Sequence, residues 1–334
     1  MSFNQYSNIS SPGASELALG GNREAVSRVF TDVASKAFYS PEIDPYMASI
    51  RDGEIFKKVA TVGGQVTMHD IVGAGFWDSH CELENLKTAS PYTAQPKTFS
   101  SKFNGGILPI SIEMWNYAFA DGNLMQVRDM VDMWAAQGRM GAEKDGFGFT
   151  YNRALTENLA DGVPMISNVH PTNSGTMDNL TLSAVAGTLD AADIVAAVSK
   201  LRFQTMKSGI PGMYQPKVLL VQEEDLAAAL TAIESSSVAL TGNSGTVNFI
   251  KRYGIRVVTS PFYAPLDVAT AAPGRTRLAI LLSGSHGVFM AEPTPFQMIF
   301  KGLDNSNNLA YQYMGFYHMI FGAYDGFGTV GIAI

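Results

Sequence analysis

Charge is scarce in this 334-residue chain: Asp, Glu, Lys and Arg make up 16% of it, well under the ~25% of an ordinary soluble domain. A chain that stays alone in water needs more, so the shortage points to a surface largely covered by other chains. Positive charge is the scarcer sign, 23 Lys and Arg against 30 Asp and Glu, for a net charge of −7. No Lys/Arg block is present, which argues against tight binding to nucleic-acid phosphates. Cys81 is the single cysteine, so no disulfide forms within the chain and a reduced thiol is expected. No apolar run approaches the ~18 residues of a membrane span. The polar opening MSFNQYSNISSPGAS lacks the apolar core of a secretory signal, and synthesis in the cytoplasm is expected.

Motifs of chemistry are equally thin. No GxSxG elbow, Walker loop, CxxC or HExxH occurs. GFGTVG at Gly326–Gly331 matches GxGxxG, but a dinucleotide site needs a helix behind its glycines. Only Ile332, Ala333 and Ile334 follow, so a glycine-bearing strand end is expected. His69, His80 and Cys81 fit no zinc spacing. Asp129 and Asp132 lie three apart on a predicted helix, where a solvated or intersubunit charged face is the expected reading. His170 in SNVHP and the pair Ser285-His286 in SGSHG lack the partners of a catalytic base or nucleophile. Asn179-Leu180-Thr181 is a glycosylation sequon by pattern alone. No catalytic, cofactor or metal site is assigned.

What the chain does have is glycine, 32 residues, and methionine, 16 residues; methionine packs adaptably against more than one neighbour. One long helix stands out at about 123–151. Leu124, Val127, Val131, Trp134, Gly138 and Gly141 fall on one stripe at alternating threes and fours. Each mid-helix glycine costs roughly 1 kcal/mol relative to alanine, so close approach of another backbone is expected there. Ile110, Ile112 and Met114 alternate and predict a strand leading into this helix. Residues 1–21 are polar and read as an arm. Asn22 would cap a short helix whose face, Val26, Phe30, Val33 and Ala37, must dock on its own chain or a neighbour; Pro41 and Pro45 would end it. Residues 48–105 read as a two-stranded extension, with Lys58–Val62 and Gln65–Met68 about a Gly63-Gly64 turn.

Thr188 or Asp190 would cap a helix with Ile194, Val198 and Leu201 on one face. KVLLV at Lys217–Val221, a helix over Glu223–Glu234, and strands at Ile255–Thr259 and Leu278–Leu282 make 188–287 an α/β region. Strands at Val288–Met290 and Phe296–Lys301 are split by Pro293 and Pro295. An aromatic, Gly-rich tail follows from Leu309.

This order of parts resembles the major capsid proteins of tailed double-stranded DNA phages and is most similar to the Mu-type major head subunits. The resembling stretches are Phe103–Ala118, the helix at 123–151, PMISNVHP at Pro164–Pro171, the capped helix with QPKVLLV at Gln215–Val221, and the tail from Leu309. The resemblance implies an α+β, HK97-type fold: arm 1–47, extended loop 48–105, peripheral domain 106–187 with the spine helix, axial domain 188–287, and a return to the peripheral domain over 288–334. It implies a homo-oligomer of hexamers and pentamers that encloses DNA without sequence-specific binding, assembled in the host bacterial cytoplasm. No helical prodomain precedes the arm, so a separate scaffolding protein is expected, with a portal and a decoration protein as further partners. Some relatives cross-link lysine to asparagine; Lys57, Lys58, Lys87, Lys97 and Lys102 lie in the loop, and none is singled out. The alternatives are an encapsulin-like shell around an enzyme cargo and a soluble α/β enzyme.

Overall fold

The computed structural model describes residues 23–40, 44–61, 63–72, 92–120, 124–173, 175–235, 250–304 and 310–334. The arm expected at 1–21, the Asn22 cap and the loop tip carrying His80, Cys81 and Lys87 lie outside them. The chain divides into two compact units, both discontinuous in sequence. The first takes residues 1–41, 101–143 and 292–319; the second takes 42–100, 144–291 and 320–334.

The first unit holds helix α1 (Arg23–Phe38), strand β4 (Lys102–Ser111), helix α2 (Ile112–Ala120), most of helix α3 (Leu124–Phe149), and the adjoining parts of β11 (Val288–Asp304) and β12 (Ala310–Ala323). β12 pairs antiparallel with β4 from Ala310↔Ser111 to Met319↔Lys102. The docking of α1 is settled: it packs on its own chain. Phe30 meets Trp115 and Tyr313 edge-on, each at 5.9 Å. Phe38 stacks on Phe296 at 4.4 Å and lies 5.0 Å from Tyr317.

Of the stripe expected on α3, Val127 and Val131 are buried and Trp134, Gly138 and Gly141 half-buried, while Ala135 and Ala142, outside that stripe, are buried too. Its glycines correct the expected backbone contact. Gly138 faces the Phe38 ring and Gly141 the Tyr317 hydroxyl. In the second unit Gly146 faces Ile50 and Phe321. At Gly146 the missing Cβ makes room for Ile50; at Gly138 and Gly141 an added Cβ would make an ordinary contact.

Two further expectations are corrected here. Ile112 and Met114 are helical, because the Ser111 hydroxyl accepts the Met114 N–H at 3.1 Å and starts α2 there. Pro293 and Pro295 do not split the strand. Proline brings no donor to a ladder; beside them the Phe296 N–H donates to the Tyr39 hydroxyl at 2.8 Å, which donates to Glu292 Oε1 at 2.7 Å.

The second unit is built on a five-stranded mixed sheet in the order β7-β13-β10-β8-β9. Its strands are β7 (Leu180–Leu182), β8 (Pro216–Val221), β9 (Arg256–Thr259), β10 (Leu278–Ser283) and β13 (Thr329–Ala333). Helices α4 (Ala191–Arg202) and α5 (Glu223–Glu234) pack on it around Ile194, Leu201, Leu219, Val257, Leu281 and Ile332. Asp190 caps α4 in a reciprocal box with Asp193. The final segment is not all of one return piece: β13 pairs with β10 and β7, because Val330 and Ile332 carry their apolar side chains into this core.

The expected hairpin is also re-paired. β1 (Lys57–Val59) runs parallel to Phe289–Ala291. The hairpin is β2 (Gln65–Val72) with β3 (Tyr92–Ser100). Its base is fixed by Val66 and Phe99 against Phe289, Ala291 and Ile320. A last short hairpin joins β5 (His170–Thr172) to β6 (Gly175–Met177).

Candidate functional site

His170 lies at the centre of a buried polar knot in the second unit. Its Nδ1 is 2.7 Å from Asp161 Oδ2 and its Nε2 is 3.2 Å from the Met165 carbonyl oxygen. A carbonyl oxygen can only accept, so Nε2 carries a proton and cannot take one from a substrate. The Asn179 amide nitrogen donates to the Met165 carbonyl at 2.8 Å and to the Gly326 carbonyl at 3.0 Å. Its amide oxygen accepts the Ser167 N–H at 2.7 Å. Gln204 adds to the knot, its Oε1 accepting the Gly328 N–H at 2.7 Å. His170 and Asn179 have no exposed surface. An Asp–His pair of this kind would orient a catalytic base, but both ring nitrogens here fasten turns. Sequence reasoning noted Asn179 only as a sequon and missed its role.

His286 is likewise taken up. Its Nε2 donates to the Glu54 carbonyl at 2.8 Å, and its Nδ1 accepts the Val288 N–H at 3.1 Å. The imidazole is therefore neutral. Burial pushes its pKa down to about 4, with the Lys57 ammonium acting the same way and the Glu54 hydrogen bond opposing. The Ser285 N–H donates to the Ser283 hydroxyl at 3.1 Å, a local turn bond and not a nucleophile's arrangement.

The remaining candidates do not converge. Asp129 and Asp132 are exposed on α3. Among the described residues no three His, Cys, Asp or Glu side chains group to hold a metal, and no helix is long and apolar enough to cross a membrane. GFGTVG is the turn into β13, with Gly328 at φ +72°. Of the loop lysines, Lys97 donates to the Asn158 carbonyl at 2.7 Å and pairs with Glu157 at 3.1 Å. Burial lowers the Lys57 pKa, with Asp325 opposing. Lys58 and Lys102 are exposed.

What the units offer outward is apolar surface. In the first, Phe103, Ile107, Met125, Met133 and Met140 are exposed; in the second, Leu182, Val185, Phe203 and Met213. Large apolar side chains in water mark contact surfaces when they cluster.

A family model described as phage capsid protein matches residues 95–327. Comparison with curated protein sequences finds no match. Among solved structures, the capsid of the cyanophage P-SCSP1u is similar at a TM-score of 0.54 and 9% identity, over 88% of this chain and 91% of that one. The virus-like particle from Pyrococcus furiosus is similar at a TM-score of 0.51 and 6% identity, over 91% and 98% of the two chains. The mature capsid of bacteriophage PhiM1 gives a TM-score of 0.50 and 12% identity, over 88% and 90%. At such identities the likeness is one of fold, and that fold is the HK97 type.

Proposed function

The chain belongs to the phage capsid protein family, and on that premise we propose that copies of it close into hexamers and pentamers of an icosahedral head around phage DNA. It is a structural capsid protein of the virion. The observation that carries the proposal is the family match over residues 95–327. The chemistry of the chain supports it: His170 and His286 are spent on holding turns, the chain as a whole is poor in charge, and several large apolar side chains are exposed. A net charge of −7 also suits a container for DNA, since a lining that gripped phosphates would hinder entry and exit.

In this reading residues 1–47 act as an arm, 48–105 as an extended loop, 106–187 with α3 as the peripheral domain, and 188–287 as the axial domain. Many modest contacts made at once give the shell its stability. Scaffolding, portal and decoration proteins are the proposed partners, with assembly in the host cytoplasm. The test is electron microscopy of the protein expressed alone and then with the neighbouring genes. Closed shells or capsomer rings are expected. A strictly monomeric chain under both conditions overturns the reading, and shells that purify with an enzyme and without DNA replace it by a cargo compartment. Deleting residues 69–96 from the β2–β3 hairpin should leave a soluble subunit that closes no shells.

A further inference from the structure

Helices α4 and α5 each carry an aspartate as the third residue of the first turn, and the two are served differently. On α4 both carboxylate oxygens of Asp193 accept backbone N–H groups, from Ala184 at 2.8 Å and from Asp190 at 3.1 Å. On α5 the side chain of Asp225 is just as buried, the residue being 3% exposed. Its Oδ1 lies 3.1 Å from Arg277 Nη1. Its Oδ2 is buried with no hydrogen-bond partner among the described residues. The same Nη1 also meets Glu224 Oε2 at 3.0 Å, and Nη2 is spent on the Gly187 carbonyl. One cation thus serves two carboxylates, and the buried one keeps an idle oxygen.

An acceptor for a proton on that oxygen stands at the N-cap. Gln222 makes no side-chain cap bond, and its amide oxygen is buried without a partner among the described residues. Side chains at the N-cap and at the third helical residue meet across a first turn, as Asp190 and Asp193 do on α4. Two acceptors placed so gain nothing from each other until one carries a proton, and a protonated carboxyl becomes a donor.

The other charged groups near α5 leave this balance alone. Glu223 and Glu224, on its own first turn, are exposed. Asp190 and Asp193, at the start of α4, hold each other in their box. Tyr263, after β9, donates to the Leu278 carbonyl at 2.7 Å. Lys217 and Arg256 stand at the starts of β8 and β9, away from the first turn of α5. Lys251 and Arg252 lie towards the far end of α5, where Lys251 Nζ donates to the Glu234 carbonyl at 3.3 Å. Burial pushes the Asp225 pKa up, with Arg277 opposing and Glu224 adding.

We propose that Asp225 is a proton-uptake switch: in mild acid Oδ2 takes a proton from solvent and donates it to Gln222 Oε1, while Arg277 stays with Glu224 and Gly187. The folded chain then holds this proton more tightly than the unfolded one, whose carboxyl titrates at the ordinary 3.8. The corner gains stability as the pH falls through the folded pKa, and the gain is absent above it. It offsets the loss at His286. The device lies within one subunit, so it stands apart from the capsid reading.

The test is the melting of the full chain and of Asp225→Asn between pH 7.5 and pH 4. The asparagine amide puts a donor where the protonated oxygen would be. D225N should melt ~2–4 °C above the parent at pH 7.5, and the gap should close as the pH falls. D225N melting at or below the parent at pH 7.5, or a gap that does not change with pH, overturns the switch. Infrared difference spectra of parent against D225N should show a protonated carboxyl growing in over the same range; a carboxylate that stays ionised down to pH 4 overturns it too. Gln222→Leu deletes the acceptor and should move the closing of the gap to lower pH. An unmoved closing overturns the bond to Gln222.

Discussion

In the first unit a helix is fastened by rings: Phe30 and Phe38 of α1 against Trp115, Tyr313, Phe296 and Tyr317. In the second, two helices, the first capped by Asp190, lie on a sheet of branched aliphatics, and the buried polar side chains His170, Asn179, Gln204 and His286 fasten the turns around it. Large rings join elements of the first unit that are far apart in sequence; the second unit has a ring cluster, Phe56 against Phe147, Tyr151 and Phe321, beside its aliphatic sheet. Aliphatic layers need regular elements, and hydrogen bonds must then hold the turns between them. The two units should therefore fail differently.

The largest expected effect lies in the rings. Phe38→Ala should cost ~3–5 kcal/mol, and limited proteolysis should cut within α1 before any site in the sheet of the second unit. Equal protection of both would break the contrast. In the second unit, Asn179→Leu keeps the bulk but strands the Ser167 N–H and takes one donor each from the Met165 and Gly326 carbonyls, which keep His170 Nε2 and the Thr329 hydroxyl. A loss of ~2 kcal/mol is expected, read as a lower denaturation midpoint.

A pH titration sharpens the contrast further. The folded pKa of His286, about 4, lies below its unfolded value of 6.5, so stability is full above pH 6.5 and falls as the pH drops toward 4. Between pH 7 and pH 5 the loss is ~2 kcal/mol. Burial raises the carboxyl pKa values of Asp193 and Asp225, and these titrate with the opposite sign. The difference between the parent and His286→Asn isolates the imidazole; parallel curves would remove it as a cause. The smallest effect is at the cap: Asp190→Ala should cost ~1 kcal/mol, seen as a shift in melting temperature.

The second unit was the more legible in the sequence. The span Glu223–Glu234 and the strand KVLLV are set by neighbours a few residues away and stand as the sequence reads; of the two caps it offers, Thr188 and Asp190, the helix uses Asp190. Pairing partners were not legible. Lys57–Val59 finds its partner at Phe289–Ala291, and no local period encodes so distant a strand. Ile110, Ile112 and Met114 carried a two-residue alternation too short to outweigh the Ser111 cap. β11 runs through two prolines while Tyr39, just after α1, serves its backbone, a contact invisible in the strand's own residues. His170 was noticed in SNVHP, but Asp161 and Asn179, which define its task, were not linked to it. The Asp161-Gly162 turn just upstream was the available signal.

β13 has a consequence for synthesis. It lies between β7 and β10, and its partner Thr181 precedes Gly331 by 150 residues. At ~5–20 residues per second, β7 waits on the ribosome for roughly 8–30 s before its neighbour exists. Until then the strand that pairs with β7 is missing, and residues 180–185 are held through side chains alone: Lys200 on the Leu180 carbonyl, Arg275 on the Ser183 carbonyl and Asp193 on the Ala184 N–H. A nascent chain is therefore an incomplete building block until residues 329–333 are in place.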